Sequence, residues 1–195
     1  MKKQKTNIRQ AQIKAAALQA IGQEGLRGFT IARIASQIGM TESNIYRHFR
    51  SKDELKAALV NEMGARIVQL VPDALKQEHS PAAQLKSIFF SHLEIFREHK
   101  GILRMIMSSE LYGGNKMIER NLKENIGRYL AAITAILRDG IKQKVFRADL
   151  DVEAAAMMFI GLIQATALQW IMFGDYIAQG MRGDRVWEIY IKGLK

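Results

Sequence analysis

The chain has 195 residues, of which 48% are hydrophobic and 25% charged, proportions that are typical of a folded globular protein and exclude an intrinsically disordered one. It contains no cysteine, which excludes disulfide bonds, thiolate nucleophiles and cysteine-ligated zinc. The net charge is +10, and residues 1–66 hold 12 Lys and Arg against 5 Asp and Glu, whereas residues 67–195 hold 17 against 14. A basic first third is expected to face a polyanion, either nucleic acid or an anionic membrane surface.

Helical periodicity dominates the sequence and predicts an all-α fold. In the first helix, apolar side chains recur at i, i+3, i+4, i+7 and i+8 and form one continuous stripe. The members of this stripe are Ile13, Ala16, Ala17, Ala20 and Ile21. The glycine-rich segment at residues 22–28 ends the helix. A basic arm precedes the helix and consists of Lys2, Lys3, Lys5 and Arg9.

A helix-turn-helix motif is predicted over about residues 29–48. Thr30 is placed to cap a short helix with one apolar face, and Gly39 follows this helix as a tight turn. Thr41 is placed to cap a second short helix, which is mostly polar outside. In this geometry the second helix lies in the major groove of DNA.

The remaining elements are also predicted to be helical. Ser51 and Glu54 form a capping box that opens a fourth helix, and this helix is expected to stop near Pro72. Pro81 suits the first turn of the next helix. The later predicted elements are helices at about 81–99, 102–109, 116–144 and 152–173, a break at Gly113-Gly114, and a last helix from near Asp184.

The side chains of the second motif helix suit DNA recognition. Arg47 can pair with guanine, Asn44 can pair with adenine, and Glu42 can accept a hydrogen bond from cytosine. Hydroxyl, imidazole and ammonium groups near the helix starts are better placed to contact phosphates, and the basic arm adds phosphate or minor-groove contacts. The predicted DNA-binding residues are Thr30, Arg33, Thr41, Glu42, Ser43, Asn44, Tyr46, Arg47, His48 and Lys52.

These residues closely resemble the DNA-binding signature of the TetR family of bacterial repressors. The resemblance covers about residues 6–66 and is carried by Thr30, Ile34-Ala35, Gly39-Met40-Thr41, Ile45-Tyr46, His48-Phe49 and Ser51-Lys52-Asp53-Glu54-Leu55. It implies a three-helix DNA-binding domain at 6–66 and a helical effector-binding and dimerisation domain at 67–195. It also implies phosphate contacts by Tyr46 and Lys52, and base contacts by residues 41–44 and Arg47. Glu42 departs from the basic or small residue of many members.

Residues 154–173 are apolar except for Gln164, Thr166 and Gln169, so their length would suffice to cross a bilayer. The central polar residues, the acidic residues that precede them and the lack of a basic flank argue against insertion, so no membrane is expected. A helix that is apolar all round can pack on its own subunit and on a second one. Residues 152–173 and 184–195 are therefore predicted to form a homodimer that reads an inverted-repeat operator in double-stranded DNA.

The resemblance further implies a small-molecule effector pocket in the second domain. Methionine and aromatic side chains can line an adaptable apolar cavity, although each of them is equally suited to ordinary core packing. The candidate pocket residues are Met63, Ile67, His92, Phe96, Met105, Tyr112, Asn125, Tyr129 and Gln164. A largely apolar ligand is the expected effector.

The main hypothesis is a cytoplasmic, ligand-released repressor that is associated with the nucleoid when bound to DNA. The alternative is an architectural or division-linked DNA-binding protein that acts through a protein partner. An enzyme is not expected, because the four histidines show no metal-ligand spacing and neither a glycine-rich phosphate loop nor a nucleophile elbow is present. The sequence therefore predicts no catalytic residue, no metal and no cofactor.

Overall fold

The computed structural model describes residues 2–99, 101, 103, 105, 116–173 and 183–195. In these ranges the chain forms eight α-helices and one short 3₁₀ helix, without a β-strand, so the all-α prediction is confirmed. The helices are α1 (Lys2–Glu24), α2 (Ile31–Gln37), α3 (Glu42–Tyr46), α4 (Lys52–Gln77), α5 (Pro81–Glu98), α6 (Lys116–Lys142), α7 (Val152–Phe173) and α8 (Gly183–Leu194), and the 3₁₀ helix is Gly25–Gly28.

The chain forms two compact units. The first, here called the head, consists of the described residues of Met1–Met63 and His99–Leu122. The second, here called the body, consists of the described residues of Gly64–Glu98 and Lys123–Lys195. The head therefore includes a segment that lies more than thirty residues beyond the sequence-based boundary at residue 66.

The core of the head is built on the predicted apolar stripe of α1. Ile13 and Ile21 are fully buried against Ile34 of α2 and the start of α4. Met105 and Ile118 are buried in the same cluster, although they are distant in sequence from the other members. Burial of each large aliphatic side chain contributes roughly 1.5–3 kcal/mol, so these two distant residues are part of what stabilises the head.

The basic arm is helical. The sequence placed it ahead of the first helix, whereas α1 begins at Lys2 and already includes Lys3, Lys5 and Arg9. The interpretation as a separate arm is therefore wrong. Charged, straight-chain residues such as lysine and arginine are good helix formers, so α1 can begin before its apolar stripe and include them.

α4 does not stop at Pro72, contrary to the prediction. Pro72 lies inside the helix, which continues to Gln77. An interior proline removes one backbone hydrogen bond and usually kinks or ends a helix. Here Val71 and Ala74 on either side of it are buried in the body, and their packing favours continuation of the helix over the local preference of proline.

α6 ends at Lys142, two residues before the predicted end, in a Schellman turn. Lys144 has a left-handed φ of 58°, its N–H donates to the Ile141 carbonyl at 3.0 Å, and the Val145 N–H donates to the Gly140 carbonyl at 2.9 Å. The buried Phe146 ring then folds back over Gly140, where a Cβ atom would overlap the ring. This packing of Phe146 therefore requires a glycine at position 140, in the last turn of α6.

α7 packs against α5 and α8 in the body. Phe159 is fully buried, with its ring centroid 5.9 Å from that of Phe89 on α5 and 5.7 Å from that of Tyr190 on α8. The Tyr190 hydroxyl donates to the Ala155 carbonyl at 2.9 Å, which ties α8 to α7. Residues 152–170 are long and apolar enough to cross a membrane by length and composition, with a mean hydropathy of 1.4, but 44% of this stretch is buried within the protein.

Candidate nucleic-acid interface and effector site

The two helices of the predicted motif are joined by a second Schellman turn. The Met40 N–H donates to the Ala35 carbonyl at 2.9 Å, and the Gly39 N–H donates to the Ser36 carbonyl at 3.3 Å. Gly39 has a φ of +63°, which L-residues rarely adopt. A Cβ atom at this position would meet nothing within 4 Å, so the backbone conformation alone requires glycine.

Both threonine caps form as the sequence predicts. The Thr30 hydroxyl accepts the Arg33 N–H at 3.2 Å, and the Thr41 hydroxyl accepts the Asn44 N–H at 3.3 Å. Both threonines have extended backbone conformations, as N-cap residues require. Because of these caps and the Gly39 turn, α3 starts at a defined point of the chain.

The capping box at Ser51 forms in part. The Ser51 hydroxyl accepts the Glu54 N–H at 3.0 Å, as predicted. The Glu54 carboxylate accepts the N–H of Arg50 at 2.5 Å instead of that of Ser51. The start of α4 is therefore fixed one residue further back than a standard capping box would fix it.

α3 has one buried and one exposed side. Ile45 is fully buried, whereas the predicted base readers Glu42, Ser43 and Asn44 are exposed. Arg47 is exposed as well, but it follows the last residue of α3, since the helix ends at Tyr46. The exposed side is thus short, polar and directly preceded by the Thr41 cap.

The predicted phosphate contacts differ in their availability. The Lys52 ammonium lies 5.2 Å from the centroid of the buried Phe29 ring, a cation–π contact that orients the charge without neutralising it. The Arg33 guanidinium instead pairs with the Glu24 carboxylate at 2.6 Å. Lys52 can therefore meet a phosphate directly, whereas Arg33 must first exchange a partner.

His48 is half-buried and linked to α1. Its backbone carbonyl accepts a hydrogen bond from the Gln10 side chain at 3.2 Å, and its Nδ1 is buried without a hydrogen-bond partner. Gln10 positions the end of the motif, a role that sequence reasoning missed. No local signal could have revealed it, because the two residues are separated by 38 positions.

In the body, His92 and Tyr129 form a buried polar pair. The His92 Nδ1 lies 3.0 Å from the Tyr129 hydroxyl oxygen, and the two residues are only 4% and 3% exposed. The Phe96 ring stands 4.7 Å from the imidazole, centroid to centroid. Burial lowers the pKa of His92 to about 3 and raises the pKa of Tyr129, so both side chains are neutral at pH 7.

Asn125 lies one turn before Tyr129 on α6 and is also buried. Its side-chain oxygen accepts a hydrogen bond from Arg128 at 2.6 Å. Its amide lies against Gly64 of α4, where a Cβ atom would overlap it. The glycine therefore allows a polar side chain to pack closely between α4 and α6.

The candidate effector residues do not all belong to one unit. His92, Phe96, Asn125 and Tyr129 are buried in the body, and Ile67 and Gln164 are half-buried there. Met63 and Met105 belong to the head, where Met105 is part of the core cluster. Tyr112 lies outside the described residues, as does most of the predicted helix at 102–109 and the Gly113-Gly114 break. That these residues line a pocket stays a prediction.

A groove of about 470 Å³ runs between α7 and α8 and is lined mostly by apolar side chains. Met157 and Met158 on α7 are more than half exposed, and Ile189 on α8 is 75% exposed. This groove and these exposed apolar side chains lie in the two segments for which the sequence predicts a dimer contact.

Both parts of the chain match known families. A model described as "Bacterial regulatory proteins, tetR family" matches residues 13–59, and one described as "YsiA-like protein, C-terminal region" matches residues 59–193, more than half of the chain. The chain belongs to the TetR family. As a TetR-family member it is a DNA-binding transcriptional regulator and not an enzyme, which confirms both predictions. Regulators of this family act on DNA in the cytoplasm.

Three relatives illustrate the range of similarity. The "Fatty acid metabolism regulator protein" of Bacillus subtilis (strain 168) is 24% identical over 184 residues, 94% of each chain. The crystal structure of the transcriptional regulator FadR from Bacillus subtilis in complex with stearoyl-CoA has a TM-score of 0.78 at 23% identity, covering 95% of this chain and 99% of that one, which establishes a shared fold. The "Nucleoid occlusion factor SlmA" of Escherichia coli O1:K1 / APEC is 26% identical over 144 residues, 73% of this chain and 70% of that one.

Proposed function

We propose that this TetR-family regulator is a homodimeric repressor that binds an inverted-repeat operator and is released from it by a long-chain fatty acyl-CoA. The observation that carries the ligand assignment is the similarity to a fatty acid metabolism regulator along 94% of both chains. The likeness in fold to a stearoyl-CoA complex, over nearly the full length of both proteins, supports the same assignment.

Operator reading falls to the exposed side of α3 and to Arg47 directly after it, in the head. Arg47 pairs with guanine and Asn44 with adenine, because their side chains offer the donor and acceptor pattern that these bases present in the major groove. Tyr46 and Lys52 contact the DNA phosphates, and the exposed position of both residues supports this role. The Thr41 cap and the Gly39 turn fix the approach of α3.

Dimerisation falls to α7 and α8, which belong to the body. The exposed Met157, Met158 and Ile189 supply apolar surface, and the exposed Gly161 and Ala165 leave room for close approach of a second helix. Two helices from each subunit then form a two-fold interface that sets two recognition helices at the spacing of two half-sites, roughly 34–36 Å.

Release follows from differential binding. The acyl-CoA binds the body and favours a state of the dimer in which the recognition helices no longer match the operator. The effect on operator affinity can be no larger than the difference in ligand affinity between the two states, typically about 1–3 kcal/mol.

The first experiment is to sequence the genomic fragments that the purified protein retains at physiological salt, where phosphate contacts alone bind weakly. Enrichment of one inverted repeat near a promoter, and its release by micromolar stearoyl-CoA, is the expected result. The Arg47→Ala variant should lose the enrichment, whereas Arg138→Ala, an exposed arginine on α6 paired with Glu153, should retain it. Retention of random fragments by the wild type would refute specific reading by α3.

The second candidate function is a nucleoid-associated factor that acts through a protein partner, supported by the similarity to SlmA over 73% of the chain. The same fragments distinguish the two functions. Sites scattered over large parts of the chromosome, unaffected by stearoyl-CoA, would favour this candidate over the repressor.

A further inference from the structure

His92 holds a buried nitrogen that the protein leaves without a partner. Its Nδ1 faces Tyr129, whereas its Nε2 is buried and has no hydrogen bond. Thr166, another buried polar residue of the body, behaves differently, since its hydroxyl donates to the Leu162 carbonyl at 2.7 Å. A buried polar atom without a partner is costly and calls for a specific explanation.

The contact with Tyr129 determines which ring nitrogen of His92 carries the proton. The tyrosine hydroxyl stays protonated because burial raises its pKa, and the His92 Nδ1 is the acceptor 3.0 Å away. The opposite tautomer would leave both the hydroxyl proton and the Nε2 lone pair unused in an apolar interior. The Nδ1 therefore accepts, and the free group is an N–H donor at Nε2.

The donor is neutral, and this restricts what can occupy it. Burial holds the pKa of His92 near 3, so the ring offers a dipole and no positive charge at cellular pH. The Phe96 ring covers one side of the imidazole. A carboxylate placed here would lose its hydration without gaining a counter-charge, whereas an uncharged carbonyl oxygen needs only one donor.

We propose that the Nε2–H of His92, oriented by Tyr129, donates a hydrogen bond to the thioester carbonyl oxygen of the bound acyl-CoA. His92 is then a specificity-determining residue that favours acyl thioesters over free fatty acids and over alkyl thioethers of the same length. This assignment rests on the proposed function, because it presumes an acyl-CoA effector.

The test compares stearoyl-CoA with octadecyl-CoA, a thioether of matched chain length that lacks only the carbonyl oxygen. Calorimetric titration of the full-length protein should show about tenfold tighter binding of stearoyl-CoA, since the thioether leaves the donor unpaired. Stearate should bind more weakly than stearoyl-CoA. In His92→Phe the tenfold ratio should fall to about one, whereas His92→Gln, which keeps an N–H donor, should retain part of it.

Two further measurements keep the test independent of folding defects. His79→Phe, a replacement of an exposed histidine of the body, should leave the ratio at its wild-type value. In the wild type, ¹⁵N NMR should report the Nε2–H tautomer of His92 and a shift of this N–H on addition of stearoyl-CoA, but not of octadecyl-CoA.

The outcomes separate the two levels of the assignment. Equal affinities for the two CoA compounds in the wild type, as expected if a water molecule occupies the donor, overturn the role of His92 and leave the acyl-CoA regulator standing. A ratio that survives in His92→Phe does the same. If neither CoA compound binds, the proposed effector is wrong and the role of His92 fails with it.

Discussion

Gly39 and Lys144 occupy the same position in two Schellman turns, and substitutions there should have opposite effects on stability. Gly39 has a φ of +63° and Lys144 a φ of 58°. In each turn the following residue donates to the carbonyl five positions before it, at 2.9 Å. The two sites therefore differ in residue type while the backbone geometry is shared, which makes them a matched pair.

The magnitude follows from two opposing contributions. A left-handed conformation costs an L-residue roughly 1–2 kcal/mol relative to glycine. Replacing glycine by alanine also restricts the unfolded chain and recovers about 0.4–1 kcal/mol. Because a Cβ at Gly39 meets nothing within 4 Å, no steric cost is added, and Gly39→Ala should destabilise the head by about 1 kcal/mol. By the same reasoning Lys144→Gly should stabilise the body by a similar amount.

Urea denaturation followed by circular dichroism measures both changes, and fluorescence anisotropy measures operator affinity. Gly39→Ala should also weaken operator binding, since the turn fixes the start of α3, whereas Lys144→Gly should leave it unchanged. Gly39→Asn is the control, because asparagine tolerates the left-handed region better than alanine and should fall between alanine and the wild type. A Gly39→Ala variant as stable as the wild type, or a Lys144→Gly variant that is less stable, would refute the reasoning.

Three further predictions concern single positions. Gly140→Ala should destabilise the body by about 1–3 kcal/mol, because the new Cβ would overlap the buried Phe146 ring. Gly127→Ala, where the new Cβ meets open space in the same helix, should instead stabilise the body by about 0.5–1 kcal/mol. Melting temperatures of the two variants that shift in the same direction would contradict this. Lys52→Gln should reduce the slope of log K for operator binding against log salt concentration by about 1 per subunit, in anisotropy titrations between 50 and 200 mM salt. An unchanged slope would show that Lys52 does not contact a phosphate. Burial lowers the pKa of His92 from 6.5 to about 3, so the unfolded chain binds a proton that the folded one does not. Stability should therefore fall as the pH drops below 6.5, with a slope that approaches about 1.4 kcal/mol per pH unit once His92 of the unfolded chain is fully protonated. His92→Phe should lack this loss between about pH 6.5 and 5, and parallel stability profiles for the two proteins would exclude it.

The features that could be predicted from the sequence are those decided by residues within one turn of each other. The hydroxyls of Thr30 and Thr41 each accept a hydrogen bond from the backbone N–H three positions ahead. Gly39 adopts the left-handed backbone conformation, which glycine adopts more readily than other residues. The apolar stripe of α1 likewise predicts its own buried face. In all these cases the local chemistry and the global fold favour the same structure, so local reasoning is sufficient.

The features that could not be predicted depend on partners that are distant in sequence. The pair of His92 and Tyr129 joins positions 37 apart, and the contact of Gln10 with His48 joins positions 38 apart. Both histidines and Tyr129 were candidates by residue type, but nothing local indicated which groups they would meet. Pro72 shows the converse, since its strong local preference for ending a helix is overridden by packing of its neighbours in the body.

The core of the head bears on whether residues 1–66 can fold alone. Met105 and Ile118 are 0% and 1% exposed in the same cluster as Ile13 and Ile34, and a chain that ends at residue 66 would lack both. Their burial contributes roughly 3–6 kcal/mol, which is comparable to the whole stability of a domain of this size, about 3–10 kcal/mol. A fragment of residues 1–66 should therefore be largely unfolded at 25 °C by circular dichroism, and addition of operator DNA should restore helicity only in part. A fragment that melts as the head does in the full chain would show instead that the DNA-binding domain is complete at residue 66.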